Sequence, residues 1–164
     1  MMKRLGIAVT VLALGFAAGC GSSNNNNPGP STTTVFTVQL LPSNENPPIT
    51  NAEQSARGTA VITVHSDTNT IDFSVSLNSF PTTSTLTAAH IHPGVAGVNG
   101  GVLIGTGLSS TNAPSLSSGS ATFTFTGVTA SADNINQILA NPQNYYFNVH
   151  TSANGPGVMR GQLR

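Results

Sequence analysis

The stretch RGTAVITVHSDTNTIDFSVSLNSF, residues 57–80, decides the fold. In its second half Ile71, Phe73, Val75 and Leu77 share one face, and Asp72, Ser74, Ser76 and Asn78 share the other. A period of two is the side-chain repeat of a strand with one buried face and one wet face. The first half, RGTAVITVHS, is a similar run, and the link Asp67-Thr68-Asn69 between the two is a hairpin turn signal. Short antiparallel strands with a wet outer face predict a sheet that buries its inner face against another layer.

Working outward, the same short period recurs. VFTVQLL (35–41) reads as a strand before the hairpin; LTAAHIH (86–92), GVLIGTG (101–107) and GSATFTFTGV (119–128) read as strands after it. Between the first strand and the hairpin lies a long polar connection, in which Pro47-Pro48 forbids ladder pairing. One segment is helical in pattern: Ser131 is an N-cap, Asp133 suits the positive helix start, Ile135, Ile138 and Leu139 recur at i, i+3, i+4, and Pro142 stops it. YYFNVHT (145–151) and GVMRGQLR (157–164) close the chain as two strands around the turn-rich SANGPG. The expectation is an all-β antiparallel sandwich or flattened barrel of about eight strands, with one short helix near 131–140.

The chain start reads differently. Lys3 and Arg4 precede the apolar run LGIAVTVLALGFAAG, and Cys20, the single cysteine, follows it. That is the layout of a secretory signal over 1–19. Ala17-Ala18-Gly19-Cys20 resembles the bacterial lipoprotein box, with Ala17 where leucine is usual; the resemblance implies lipidation of Cys20 after cleavage. Gly21 is no aspartate retention signal, so outer-membrane sorting is expected in a Gram-negative cell. Residues 20–34, including GSSNNNNPGPSTTT, offer no apolar side chain to bury and read as a disordered tether. The domain is then 35–164.

Without the leader, three arginines (Arg57, Arg160, Arg164) face five acids (Glu45, Glu53, Asp67, Asp72, Asp133), and 3 − 5 gives a net charge of −2. No basic patch exists, which argues against nucleic acid as a partner. The membrane is reached through lipid, and any other partner is an unknown ligand or envelope protein. One cysteine allows no disulfide within the chain, so an ordinary core holds the fold.

The candidate site is made of histidines. In AAHIH, His90 and His92 project to one face and Ile91 to the other. In YYFNVHT, Tyr145, Phe147 and Val149 form the apolar face, and Tyr146, Asn148 and His150 lie opposite. If these strands are neighbours, His90, His92 and His150 converge outside the core. Three neutral imidazoles suit copper or zinc and leave a coordination position open. The same side chains could instead fix the glycine-rich loop that follows by bonding its backbone. His65 ends its strand in phase with Thr59, Val61 and Thr63, has no nearby partner in sequence, and reads as a surface histidine. Glu45, in SNENPP, could serve as a ligand, but reads more readily as a loop anchor. Arg160 reads as a structural residue tying the last strand to a carboxylate or to loop carbonyls, with Glu45 a possible partner. No Ser sits in G-x-S-x-G, no phosphate-binding glycine loop precedes a long helix, and the acids are too scattered for an evident carboxylate pair.

NENPPI, GTAVITV, IDFSVSL, AAHIHPGVAGVNGGVL and YYFNVHTSANGPGVMRGQL, taken together, resemble the chordin-type (CHRD) domain family from about Val35 to Leu163. Gly101 departs from the family pattern where proline is usual. Val158 departs where glutamate often precedes the arginine, which weakens any idea of that acid as a ligand or as the partner of Arg160. The resemblance implies an exported β domain; in animal chordin such domains accompany other modules that bind a growth factor, a role that does not transfer. The H-x-H strand beside a glycine loop is also similar in flavour to copper–zinc superoxide dismutase, although the further ligands of that enzyme are not evident. Three readings follow: a non-enzymatic, lipid-anchored binding module with a three-histidine metal site; a dismutase-like metalloenzyme; and a structural or adhesive module whose histidines fix loops.

Overall fold

A computed structural model describes residues 32–164. The expected signal segment, Cys20 and most of the tether fall outside these residues. Eight strands and one α-helix follow in chain order: β1 Thr33–Leu40, β2 Arg57–His65, β3 Thr70–Asn78, β4 Leu86–Pro93, β5 Ile104–Gly105, β6 Ala121–Thr129, α1 Ala132–Ala140, β7 Tyr145–Thr151 and β8 Met159–Gln162. They form two four-stranded antiparallel sheets, β1-β2-β3-β6 and β5-β4-β7-β8. The protein is an all-β sandwich.

The hairpin pairs as its alternation demands, with Ile62 opposite Phe73 and Ala60 opposite Val75. Ile71, Phe73, Val75 and Leu77 are buried, while Ser74, Ser76 and Asn78 are exposed. The facing sheet contributes Ala89, Ile91, Phe147, Val149 and Met159. Phe73 and Phe147 stack across the two layers at 5.6 Å between ring centroids. Truncating either ring to alanine would cost about 3–5 kcal/mol, because a cavity is left where neighbours cannot fully collapse. α1 carries the chain from the first sheet to the second. Its N-cap Ser131 accepts the Asn134 N–H at 3.1 Å, and Ile135 and Ile138 are buried.

Three features differ from the sequence reading. β1 begins at Thr33, where pairing with His65 extends the first strand. The fifth strand shrinks to two residues, because only Ile104 and Gly105 pair with β4. His65, read as partnerless, has its Nε2 3.0 Å from Asp72 Oδ2 across the hairpin, while remaining partly exposed. Asp72 also accepts the Gly127 N–H at 2.7 Å, and these two bonds, the backbone one foremost, hold its carboxyl below the usual range.

Candidate metal centre

β4 and β7 are neighbours, which brings the two histidine-bearing strands side by side. A register shift between Leu86 and Ala88 resets the phase of β4. Leu86 and Ala89 therefore both reach the core, three residues apart, and Ile91 follows them inward. The same reset sends His90 and His92 to the outer face. On β7, Tyr145, Phe147 and Val149 take the core side; Tyr146, Asn148 and His150 take the other, with His90 paired to Asn148 and His92 to Tyr146.

That outer face is not wet. Every residue of β7 is buried. The loop after β4, the link between β7 and β8, and the segment after β1 fold over it. His92 is 5 % exposed and His150 7 %. Each bonds the loop that covers it: His92 Nδ1 lies 3.1 Å from the Gly100 carbonyl, and His150 Nδ1 2.8 Å from that of Gly155. Gly100 is required by close approach, since a Cβ there would land on the Pro93 carbonyl. Glu53 fixes the second loop, accepting from Thr151 Oγ1 at 2.7 Å and from Asn154 Nδ2 at 2.5 Å.

Ring nitrogens of His90, His92 and His150, one from each, all lie within 4.8 Å of one another. His90 Nδ1 and His150 Nε2 are 3.1 Å apart. Proton positions follow from the acceptors. A carbonyl accepts only, so His92 and His150 each carry their proton on Nδ1 and present a bare Nε2. The proton between His90 and His150 then belongs to His90 Nδ1. His92 Nε2 is buried without a hydrogen-bond partner. Burial pushes the His90 imidazole down to about 4, aided by His150 and His92. Burial also lowers His92 and His150, against the opposing pull of their carbonyl partners. All three are neutral at pH 7, the form a metal ligand requires.

One pair of the three already has the spacing of ligands on a small tetrahedral ion, and the whole set, within 4.8 Å, would close by about an ångström to bind one. Two nitrogens each about 2.0–2.1 Å from zinc stand about 3.3–3.4 Å apart. The His90–His150 pair at 3.1 Å is already near that separation. An ion between them would replace the shared proton, which His90 can carry on its other nitrogen. Ligand histidines usually donate their second N–H to a carbonyl or carboxylate, as His92 and His150 do here.

Beside the triad, Arg160 and Glu45 meet. Arg160, 2 % exposed, has Nε 3.8 Å from Glu45 Oε2 and 2.7 Å from the Asn44 carbonyl. Its Nη1 donates to Asn99 Oδ1 at 2.8 Å and to the Val98 carbonyl at 3.4 Å. The guanidinium also lies 4.6 Å from the centroid of the Tyr146 ring, which stacks on His92 at 5.0 Å and 6°. Burial raises the Glu45 carboxyl to about 7, outweighing Arg160, which pulls it down. Sequence reasoning missed Tyr146, Asn148, Gly155 and Glu53 as parts of this region. Only Tyr146 and Asn148 carried a signal, being in phase with His150.

The CHRD domain family model matches residues 36–163. The chain belongs to the CHRD domain family. No curated protein and no solved structure matches it. The match spans all of the CHRD domain's strands, from within β1 to beyond β8, and so includes the histidines, Glu45 and Arg160.

Proposed function

We propose that this CHRD domain is an exported, lipid-anchored binding module of the bacterial cell envelope that holds copper or zinc through His90, His92 and His150. The observation that carries the reading is the bare, buried Nε2 of His92 beside two imidazoles 3.1 Å apart. A buried acceptor left without a partner costs about 1–3 kcal/mol, and an ion removes that cost. Seclusion beneath two loops favours retention of the ion over turnover of a substrate. The basic start, apolar run and Cys20 support export and anchoring at the membrane.

A second reading has one observation in its favour. His92 and His150 each bond a loop carbonyl, so they could serve only to fix those loops. Metal titration of the purified full chain separates the two. Copper or zinc at a hundredfold excess over Kd should add about 2.7 kcal/mol to stability and raise the melting temperature accordingly. His90→Ala, at a half-buried position that bonds no loop, should remove that rise, whatever its metal-free melt loses with the bond to His150 Nε2. No rise with either metal at micromolar concentration would discard the metal reading. Lower metal-free melts in His92→Ala and His150→Ala would then favour the loop-fixing role. For the anchor, Cys20→Ser should move the protein from the membrane to the soluble fraction.

A further inference from the structure

A cleft of about 470 Å³ opens beside His92, with Pro47, Pro48, Ile49 and Pro156 in its walls. Among the described residues, four buried side-chain atoms have no hydrogen-bond partner: Glu45 Oε1, His92 Nε2, Asn148 Oδ1 and Arg160 Nη2. All four residues line this one cleft. Each is more than nine-tenths buried, at 8, 5, 2 and 2 % exposed respectively. Buried polar groups are nearly always paired, so four orphans around one cavity describe the complement of a ligand.

The orphans also state its chemistry. Arg160 Nη2 is a cationic donor, and the rest of its fork is held rigid by Asn44, Val98 and Asn99. Asn148 Nδ2 donates to the Pro156 carbonyl at 3.4 Å, which orients Oδ1 as an acceptor. Gly157 makes this close fit possible, since a Cβ there would strike the Asn148 amide. Glu45 Oε1 and His92 Nε2 complete an acceptor-rich wall. The ligand must therefore bring one anionic acceptor and adjacent donors. A phosphate is disfavoured because its oxygens find one orphan donor, Arg160 Nη2, against three orphan acceptors that need N–H or O–H groups. A neutral sugar is disfavoured because it brings no anion for the Arg160 guanidinium.

We propose that this cleft binds a small carboxylate bearing a neighbouring N–H or O–H donor, an α-amino or α-hydroxy acid, with the carboxylate on Arg160 Nη2 and the donor on Glu45 Oε1 and Asn148 Oδ1. The site needs no metal, because three of its four orphans stand apart from the triad.

The test is calorimetric titration of the chelator-treated full chain with glycine, L-alanine, L-proline and lactate, set against acetate, ethylamine and alanine methyl ester. At least one α-substituted acid should bind saturably below 1 mM, on the order of tenfold tighter than every control. Ile49→Trp, at a part-exposed wall position that carries none of the orphans, should narrow the cleft and weaken that binding at least tenfold while leaving copper or zinc uptake and the melting temperature near the parent's. Absence of saturable binding across the α-substituted acids overturns the proposal. So does equal binding of the methyl ester, or binding unaffected by Ile49→Trp. Acid binding without any metal uptake would leave this site standing and remove the metal reading alone.

Discussion

Glu45 and His90 respond to burial with opposite consequences for stability. The Glu45 carboxyl is raised from 4.5 to about 7, so between these values the folded chain holds more of a proton than the unfolded chain. Its contribution is present at low pH and is lost as pH rises through that window. His90 is lowered from 6.5 to about 4, so its contribution is present above 6.5 and is lost as pH falls through the window below. Over the shared range the two slopes oppose each other. Glu45→Gln should make metal-free stability climb more steeply from pH 4.5 to 7 than in the parent, as read by denaturant melts at each pH. An unchanged slope would mean that Arg160 keeps the carboxylate ionised throughout. The histidine set was legible in the sequence because alternation about Ile91 on one strand and about Phe147 and Val149 on the other puts His90, His92 and His150 off the apolar faces. Glu53 was not, because its partners Thr151 and Asn154 lie about a hundred residues away and no local pattern encodes them.

Among the elements, β4 and the glycine loop after it share the task of presenting His92. Gly100 and Gly101 are adjacent and chemically identical, yet their surroundings differ. A Cβ on Gly100 meets the Pro93 carbonyl, whereas one on Gly101 meets nothing within 4 Å. Gly100→Ala should therefore displace the loop, take the carbonyl from His92 Nδ1, and cost about 1–3 kcal/mol. Loss of such an outer partner typically weakens metal affinity 10- to 100-fold, which a competition titration against a chelating dye would read. Gly101→Ala should leave stability and affinity near the parent's. The strands themselves were readable by period, and the helix by its cap and its apolar spacing. The phase reset near Leu86 and the short β5 were not, since both depend on which strand lies alongside. The covering of the histidine face was also hidden, because the polar, glycine-rich loops look solvated until they are seen to bond the residues beneath them.

In the whole molecule, the packing of two sheets followed from the hairpin's apolar face, whereas the seam between the sheets did not. That seam is Arg160. Its backbone bridges Leu41, with N–H···O distances of 3.2 and 3.3 Å, tying the end of β1 to β8. Its side chain grips the segment after β1 through the Asn44 carbonyl and the loop after β4 through Asn99 and Val98. Asn46 and Asn99 lash the same two segments together, Asn46 Nδ2 to the Gly97 carbonyl at 2.6 Å and Asn99 Nδ2 to the Asn46 carbonyl at 2.8 Å. The two lips of the cleft are thus fastened to each other at Arg160 and again at the Asn46–Asn99 pair, and should open together. Deuterium uptake should register this: the amides of Ile49 and Val98, each bonded within its own lip, should exchange at matched rates and quicken together in Arg160→Lys. Uptake at one lip while the other stays protected would mean two independent hinges. On the proposed reading, a ligand of this domain passes lips fastened at Arg160 and again at the Asn46–Asn99 pair, so its entry and release are set by two latches on the same two segments.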